Sequence, residues 1–269
     1  MFSKNFNGEE ETENLIVDTI LGDEKDTIVI GAHADGVDAG HGINDNGSGT
    51  SSILEIALQM FLKGVRPLNK VRFAWWAAEE IGLLGSIHYV QSLNPEQIKK
   101  IVLNLNFDML GSPNYLRGIY YGAAASVDPR IRTASGNIQK VLESHFKSVG
   151  LQYDLTEFNG RSDYGPFIEK FIPAGGLAAG AEGIKTPEQR ERSGGVAGIA
   201  YDPCYHQKCD SLANVHPLAI HEFSQNAANA VQFFSVQRSI REYLQRPLSP
   251  ELKNLELAKL GQKERILMR

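Results

Sequence analysis

Cysteine is almost absent from this sequence: two occur in 269 residues, Cys204 and Cys209. A single C-x4-C pair has no second pair to complete a tetrahedron, so it makes a poor structural zinc site. A small disulfide loop is the better reading, because the pair brackets His206 and would staple its loop. Such a bond favours an oxidising compartment; two reduced thiols are the alternative. Positive charge is also short. Lys and Arg number 27 against 32 Asp and Glu, for a formal net charge of -5, which argues against nucleic acid as a partner. No apolar run approaches the length of a membrane span. The N-terminal MFSKNFNGEEETEN is polar and acidic and does not read as a signal peptide. The remaining composition, 42% hydrophobic and 22% charged, is ordinary for a globular protein, and the length suits one medium-sized domain with a substantial core.

Short apolar runs rich in valine, isoleucine and aromatics alternate with longer helical patterns. LIVDTIL (15–21), TIVIGAH (27–33), KVRFAWWA (70–77) and KIVLNLNFDM (100–109) predict strands. Residues 47–62 predict a helix with Ile53, Leu54, Ala57, Leu58 and Phe61 on one face. Further helices are expected over 82–91, 130–149 and 217–236. Near-continuous apolar strands separated by helices imply an α/β fold whose sheet is covered on both faces. The main domain is expected over 1–240, followed by a charged, helical C-terminal tail over 241–269 that reads best as a solvated helix.

Five candidate metal ligands fall at predicted strand ends or in glycine-rich loops: His33 in GAHADG, Asp45 in GINDNGSG, Glu80 in WWAAEEIG, Asp108 in LNFDMLG and His206 in DPCYHQKCD. Two histidines and three carboxylates, one able to bridge, suit two zinc ions that share a water. In an α/β sheet, ligands gather at the carboxyl ends of strands, where His33, Glu79, Glu80 and Asp108 are expected. Each string also has a plainer reading. An H-x-D is often a hydrogen-bonded histidine, although here Asp35 is placed to fix the His33 tautomer. Asp45 suits a helix cap as well as a metal bridge. A first-turn helix acid explains one of Glu79 and Glu80 better than both, since adjacent buried carboxylates need a cation to offset them. An aspartate after an apolar strand, like Asp108, needs a partner, and a dication is a good one. Tyr205, beside His206, carries a hydroxyl able to stabilise an oxyanion.

The segments AHADGVDAGHGINDNGSG, FAWWAAEEIGLLGS, LNFDMLGSP, GRSDYGPF and YDPCYHQKCDSLANV, in this order, resemble the di-zinc aminopeptidases of the secreted bacterial leucine-aminopeptidase type. The likeness runs from about residue 15 to residue 235. It implies a three-layer α/β sandwich with a central mixed, mostly parallel sheet. It further implies one zinc held by His33, Asp45 and Asp108 and a second by Asp45, Glu80 and His206, with Asp45 bridging. Glu79 matches the family's general base, Tyr205 its transition-state hydrogen-bond donor, and Arg161 a position that contacts substrate in some members. A cis peptide is implied after Asp45.

Two departures stand out. Members usually carry a helical segment before the strand that here begins near Leu15. Many have an aromatic residue after GGL where this sequence has Ala178, which implies a more open pocket. The expectation is therefore a monomeric zinc exopeptidase acting on peptides with a free N-terminus, with large apolar first residues preferred. The resemblance and the cysteine pair place it in an extracellular or periplasmic setting. A carboxypeptidase or glutaminyl cyclase of the same fold, a non-catalytic binding domain and an inactive truncated product are the rival readings.

Overall fold

A strand that is apolar on both faces needs cover on both faces, and the apolar segments of this chain build a sheet of that kind. The computed structural model describes residues 11–248 apart from Ala125. In chain order the elements are β1 (Leu15–Asp18), β2 (Asp23–His33), α1 (Gly49–Leu62), β3 (Asn69–Trp76), α2 (Leu84–Ser92), α3 (Pro95–Lys100), β4 (Ile101–Phe107), β5 (Gly118–Tyr120), α4 (Pro129–Ser148), β6 (Asp154–Thr156), α5 (Gly165–Glu169), β7 (Ala174–Ala178), α6 (Pro187–Ser193), α7 (Pro217–Val236) and α8 (Ile240–Leu244). The strands form one seven-stranded sheet in the order β1-β3-β2-β4-β7-β5-β6. Pairing is parallel throughout β3-β2-β4-β7 and between β5 and β6, and antiparallel at β1-β3 and β5-β7.

Successive strand residues point to opposite faces, so β2 and β3 feed two cores at once. Ile28, Ile30, Val71, Phe73 and Trp75 join the larger core under α1, α4 and α7, with Ile53, Ile138 and Phe223. Val29, Ala74 and Trp76 face the other way, toward Tyr89 and Val90 of α2 and Phe167 of α5. This is the expected three-layer sandwich.

The first strand is shorter than its apolar run. It stops at Asp18, because the Thr19 hydroxyl bonds the Leu21 carbonyl and Gly22, at φ 107°, turns the chain back toward β2. A Cβ on Gly22 would lie 2.6 Å from the Asn69 carbonyl oxygen, so the turn requires glycine. The expected face of α1 is corrected too. Ile53 and Ile56 are buried and Ala57 and Met60 pack against the core, whereas Leu54, Leu58 and Phe61 are 46%, 46% and 75% exposed. Two apolar stripes run along this helix, and the 53/56/57/60 stripe is the one that meets the sheet. α4 begins at Pro129 with the Asp128 side chain capping the Arg130 N–H, and α7 spans the expected 217–236. α8 turns Ile240 and Leu244 into the larger core. Residues 249–269, most of the expected tail, lie outside the described residues.

Candidate active site

Three neighbouring parallel strands deliver their ends to one edge of the sheet. β2 ends at His33; β3 is followed by Glu79 and Glu80, and β4 by Asp108. Because the order is β3-β2-β4, His33 stands between the glutamate pair and the aspartate. His33 Nε2 lies 3.3 Å from Asp108 Oδ1 and 3.2 Å from Asp45 Oδ1.

Asp45 arrives on a buried turn, residues 43–48, whose Asp45–Asn46 peptide is cis, as the resemblance implied. Side chains from distant segments hold this turn. Asp210 accepts the N–H groups of Asn44 and Asp45 at 2.8 and 3.1 Å. Asn44 donates to Asp202 at 2.6 Å and accepts from the Gly111 N–H at 2.9 Å. Asn46 donates to the Phe107 carbonyl and accepts from the N–H groups of Gly49 and Met109. The turn is thereby bolted to the end of β4 on one side and to the 202–210 loop on the other.

That loop carries Tyr205 and His206 inside a ring closed by the Cys204–Cys209 disulfide, with Cα atoms 5.3 Å apart. The Tyr205 and His206 rings stack at 3.8 Å between centroids. His206 Nε2 reaches Asp45 Oδ2 at 3.2 Å and Glu80 Oε2 at 2.9 Å. All five predicted ligands therefore converge, and the two oxygens of Asp45 face different histidines.

Asp35 does more than orient an imidazole. Its carbonyl lies 3.1 Å from His33 Nδ1, and its carboxylate, 3.6 Å from the same nitrogen, accepts the backbone N–H groups of Glu79 and Glu80. Sequence reasoning passed over Ser162, which donates to Asp108 Oδ2 at 2.6 Å and itself accepts from Asn106 Nδ2 at 2.8 Å. It also passed over Asn44, Asn46, Asp202 and Asp210. A signal was present, since both aspartates flank His206 within DPCYHQKCD and both asparagines flank Asp45.

The electrostatics are those of a site crowded with negative charge. Burial, then the charge of Asp108, pushes Glu79 up to about 9. Burial and Asp45 push Glu80 up to about 7, and burial brings Asp163 to about 7. Asp45 is raised, chiefly by burial, with the charge of Asp108 adding to it. Burial works against a charged His33, yet the charge and hydrogen bond of Asp108 hold its pKa well above the ordinary value. Protons therefore balance this cluster in the chain by itself. A dication suits the same donors, because it offsets the carboxylates without protonating them. Two sets of potential ligand atoms are each gathered within 4.8 Å, His33–Asp45–Glu80 and His33–Glu79–Asp108. Glu80 Oε1 is buried without a hydrogen-bond partner, as an oxygen awaiting a cation would be. The residues present fit a metal centre.

A cavity of about 170 Å3 opens beside these groups, walled by Met109, Tyr120, Tyr164 and Ala178. Tyr120 and Phe158 both pack on the Tyr164 ring, at 4.8 and 4.7 Å between centroids. Arg161 stands at the rim, where Nη1 meets Glu182 Oε1 at 3.4 Å and both side chains are exposed. Tyr205 borders the same cavity. Its hydroxyl pKa is raised by burial and by the charges of Asp45, Glu182 and Glu80, so it stays a proton-bearing donor.

Known proteins resemble this chain over most of its length. Residues 14–231 match the sequence family described as peptidase family M28. An aminopeptidase of Pseudomonas aeruginosa is 46% identical over 230 residues, covering 86% of this chain and 42% of the relative. Leucine aminopeptidase 2 of Trichophyton rubrum is 46% identical over 236 residues, covering 88% of this chain and 47% of the relative. Among solved structures, a zinc aminopeptidase from Bacillus subtilis superposes with a TM-score of 0.66 at 28% identity, covering 84% of this chain and 50% of that one. The chain thus spans less than half the length of the curated relatives it matches.

Proposed function

The chain belongs to peptidase family M28, and from that premise we propose that it is a zinc-dependent aminopeptidase that removes the first residue of peptides with a free N-terminus. The observation that carries the reading is the position of Asp45, with one oxygen 3.2 Å from His33 and the other 3.2 Å from His206. A carboxylate presenting its two oxygens to two separate nitrogen donors suits a bridge between two ions. His33, Asp45 and Asp108 would hold one zinc, and Asp45, Glu80 and His206 the other. Zinc bound there supplies Lewis acidity toward a carbonyl oxygen and acidifies a water.

The protein's own groups then divide the work. Glu79 takes the proton of the attacking water and returns it to the leaving amine. Its raised pKa in the metal-free chain marks a carboxyl with high proton affinity, as a base buried beside other acids must have. Tyr205 donates its hydroxyl hydrogen bond to the oxyanion that forms at the attacked carbonyl. The surrounding carboxylates recognise the ammonium group of the substrate, which confines cleavage to the first bond. The cavity lined by Met109, Tyr120, Tyr164 and Ala178 takes the first side chain and favours an apolar one. Arg161 contributes a donor at the rim. The Cys204–Cys209 bond suits an extracellular or periplasmic enzyme, which we take to be a monomer.

The deciding assay uses leucine p-nitroanilide, its N-acetylated form and a glutaminyl peptide, each with chelator and with zinc restored. Release from the free-amine substrate alone, lost on chelation and recovered with zinc, is expected. Cleavage of the acetylated substrate at an equal rate, or indifference to chelation, would overturn the reading.

A further inference from the structure

A second cavity, of about 520 Å3, adjoins the first, and Tyr205 and Glu182 line both. Its other walls include Ala200, Pro203, Gln207 and Lys208. In an aminopeptidase the first side chain enters one space while the rest of the peptide leaves past the attacked carbonyl. The smaller, aromatic-walled cavity suits the first side chain. The larger one begins at Tyr205, the group assigned to that carbonyl's oxygen, and so lies where the chain continues.

The charges facing this larger space are unequal. Glu182 is met by Arg161. Asp202 is 1% exposed, and its oxygens are taken by Asn44, Asn214 and the Cys204 N–H. Lys208 is exposed and makes no ion pair among the described residues. Its backbone is tied to that of Tyr205, because both lie within the Cys204–Cys209 ring and the Gln207 N–H is bonded to the Cys204 carbonyl at 2.9 Å. The Gln207 carbonyl is pressed against Gly40, where even a Cβ would approach to 2.5 Å.

We propose that this cavity receives the residues after the scissile bond and that Lys208 makes it prefer a carboxylate there. That carboxylate is an acidic side chain or the free C-terminus of a short peptide. The inference rests on the aminopeptidase reading and adds the leaving side of its substrate.

The test compares zinc-loaded wild type, Lys208→Gln and Lys208→Glu on Leu-Glu-amide, Leu-Lys-amide, Leu-Ala-amide and Leu-Ala free acid. Wild type should favour Leu-Glu-amide over Leu-Lys-amide by about fivefold, the range of a solvent-exposed charge contact, carried by KM and eroded by salt. Lys208→Gln should bring the ratio near one, and Lys208→Glu should invert it. A Lys208-dependent preference for Leu-Ala free acid over its amide identifies the chain terminus as the source. Calorimetry on the Glu79→Gln variant reads the same order as affinity, without turnover. A ratio unchanged by Lys208→Gln in both rate and affinity overturns the subsite while leaving the enzyme standing. Conversely, if wild type ignores leucine p-nitroanilide yet keeps the Lys208-dependent affinities, the aminopeptidase reading falls and Lys208 stands only as a carboxylate-binding contact.

Discussion

Asp35 Oδ1 accepts the backbone N–H of Glu79 at 3.0 Å, while Oδ2 takes that of Glu80 at 3.2 Å. One carboxylate therefore sets the height of both glutamates above the sheet and also faces the ring of His33. Replacing it by Asn keeps the shape but turns an acceptor oxygen into an NH2 group, which opposes one of those N–H donors. Asp35→Asn should lower kcat and weaken zinc affinity, each by about 10- to 100-fold, as is usual for groups that orient metal ligands. Chelator competition measures the affinity. Wild-type zinc retention in that variant would reduce Asp35 to a loop anchor.

Glu79 and Glu80 are adjacent, but only Glu80 lies against His206, at 2.9 Å. The two substitutions should therefore separate. Glu79→Gln would remove the proposed proton acceptor and should cut kcat by about 10^2- to 10^4-fold. Its zinc content, read by elemental analysis, should stay at the wild-type level, whereas Glu80→Gln should lose metal. Full activity in Glu79→Gln would assign the base elsewhere.

The sandwich was legible because β2, β3 and β4 are long and apolar on both faces, and their ends could be read as a site for the same reason. The segments that escaped notice are those without such a signal. β5 and β6 are three residues each, and β7 reads Ala-Gly-Gly-Leu-Ala, with none of the β-branched residues that mark a strand. Gly176 is there because a Cβ would collide with the Asn106 carbonyl oxygen, a requirement set by a neighbour 70 positions away. α1 misled because both its stripes are apolar, and only packing decides which one turns inward. At the site, the candidate ligands could be read from local strings. The supporting bonds, such as Ser162 to Asp108 and Asp210 to Asn44, cross 54 and 166 positions and belong to the tertiary fold.

The disulfide makes a further prediction through chain entropy. Closing a ring across a separation of five residues is worth about 2 kcal/mol, because it removes freedom from the unfolded chain. For a domain of this size that corresponds to a melting temperature about 4–8 °C lower in the Cys204→Ser/Cys209→Ser variant. The activity loss should exceed what this stability change accounts for, since Tyr205 and His206 both ride on the ring. Calorimetry together with rates at 25 °C separates the two effects, and unchanged kcat in a fully folded double variant would show that the loop holds its shape without the bond.

Stability against pH should depend on zinc. In the metal-free chain Glu79 is raised from 4.5 to about 9 and Glu80 from 4.5 to about 7, burial being the largest cause for both. A carboxyl raised in this way binds more protons folded than unfolded. Its contribution is complete below about pH 4.5 and is lost as pH climbs through the folded value. The raised His33 acts in the same direction above its ordinary 6.5. Asp35 and Asp108, which are lowered, act only in acid, below this window. The melting temperature of metal-stripped protein should therefore fall between pH 5 and pH 9. Zinc held by these carboxylates would displace those protons, so the stabilisation it gives should grow over the same range. At free zinc about 100 times its Kd the gain is about 2.7 kcal/mol, or about 5–10 °C. Thermal melts at pH 5, 7 and 9 with and without zinc test this. A metal-free chain that becomes more stable toward pH 9 would mean that protons do not balance these carboxylates, and zinc would then not be taking their place.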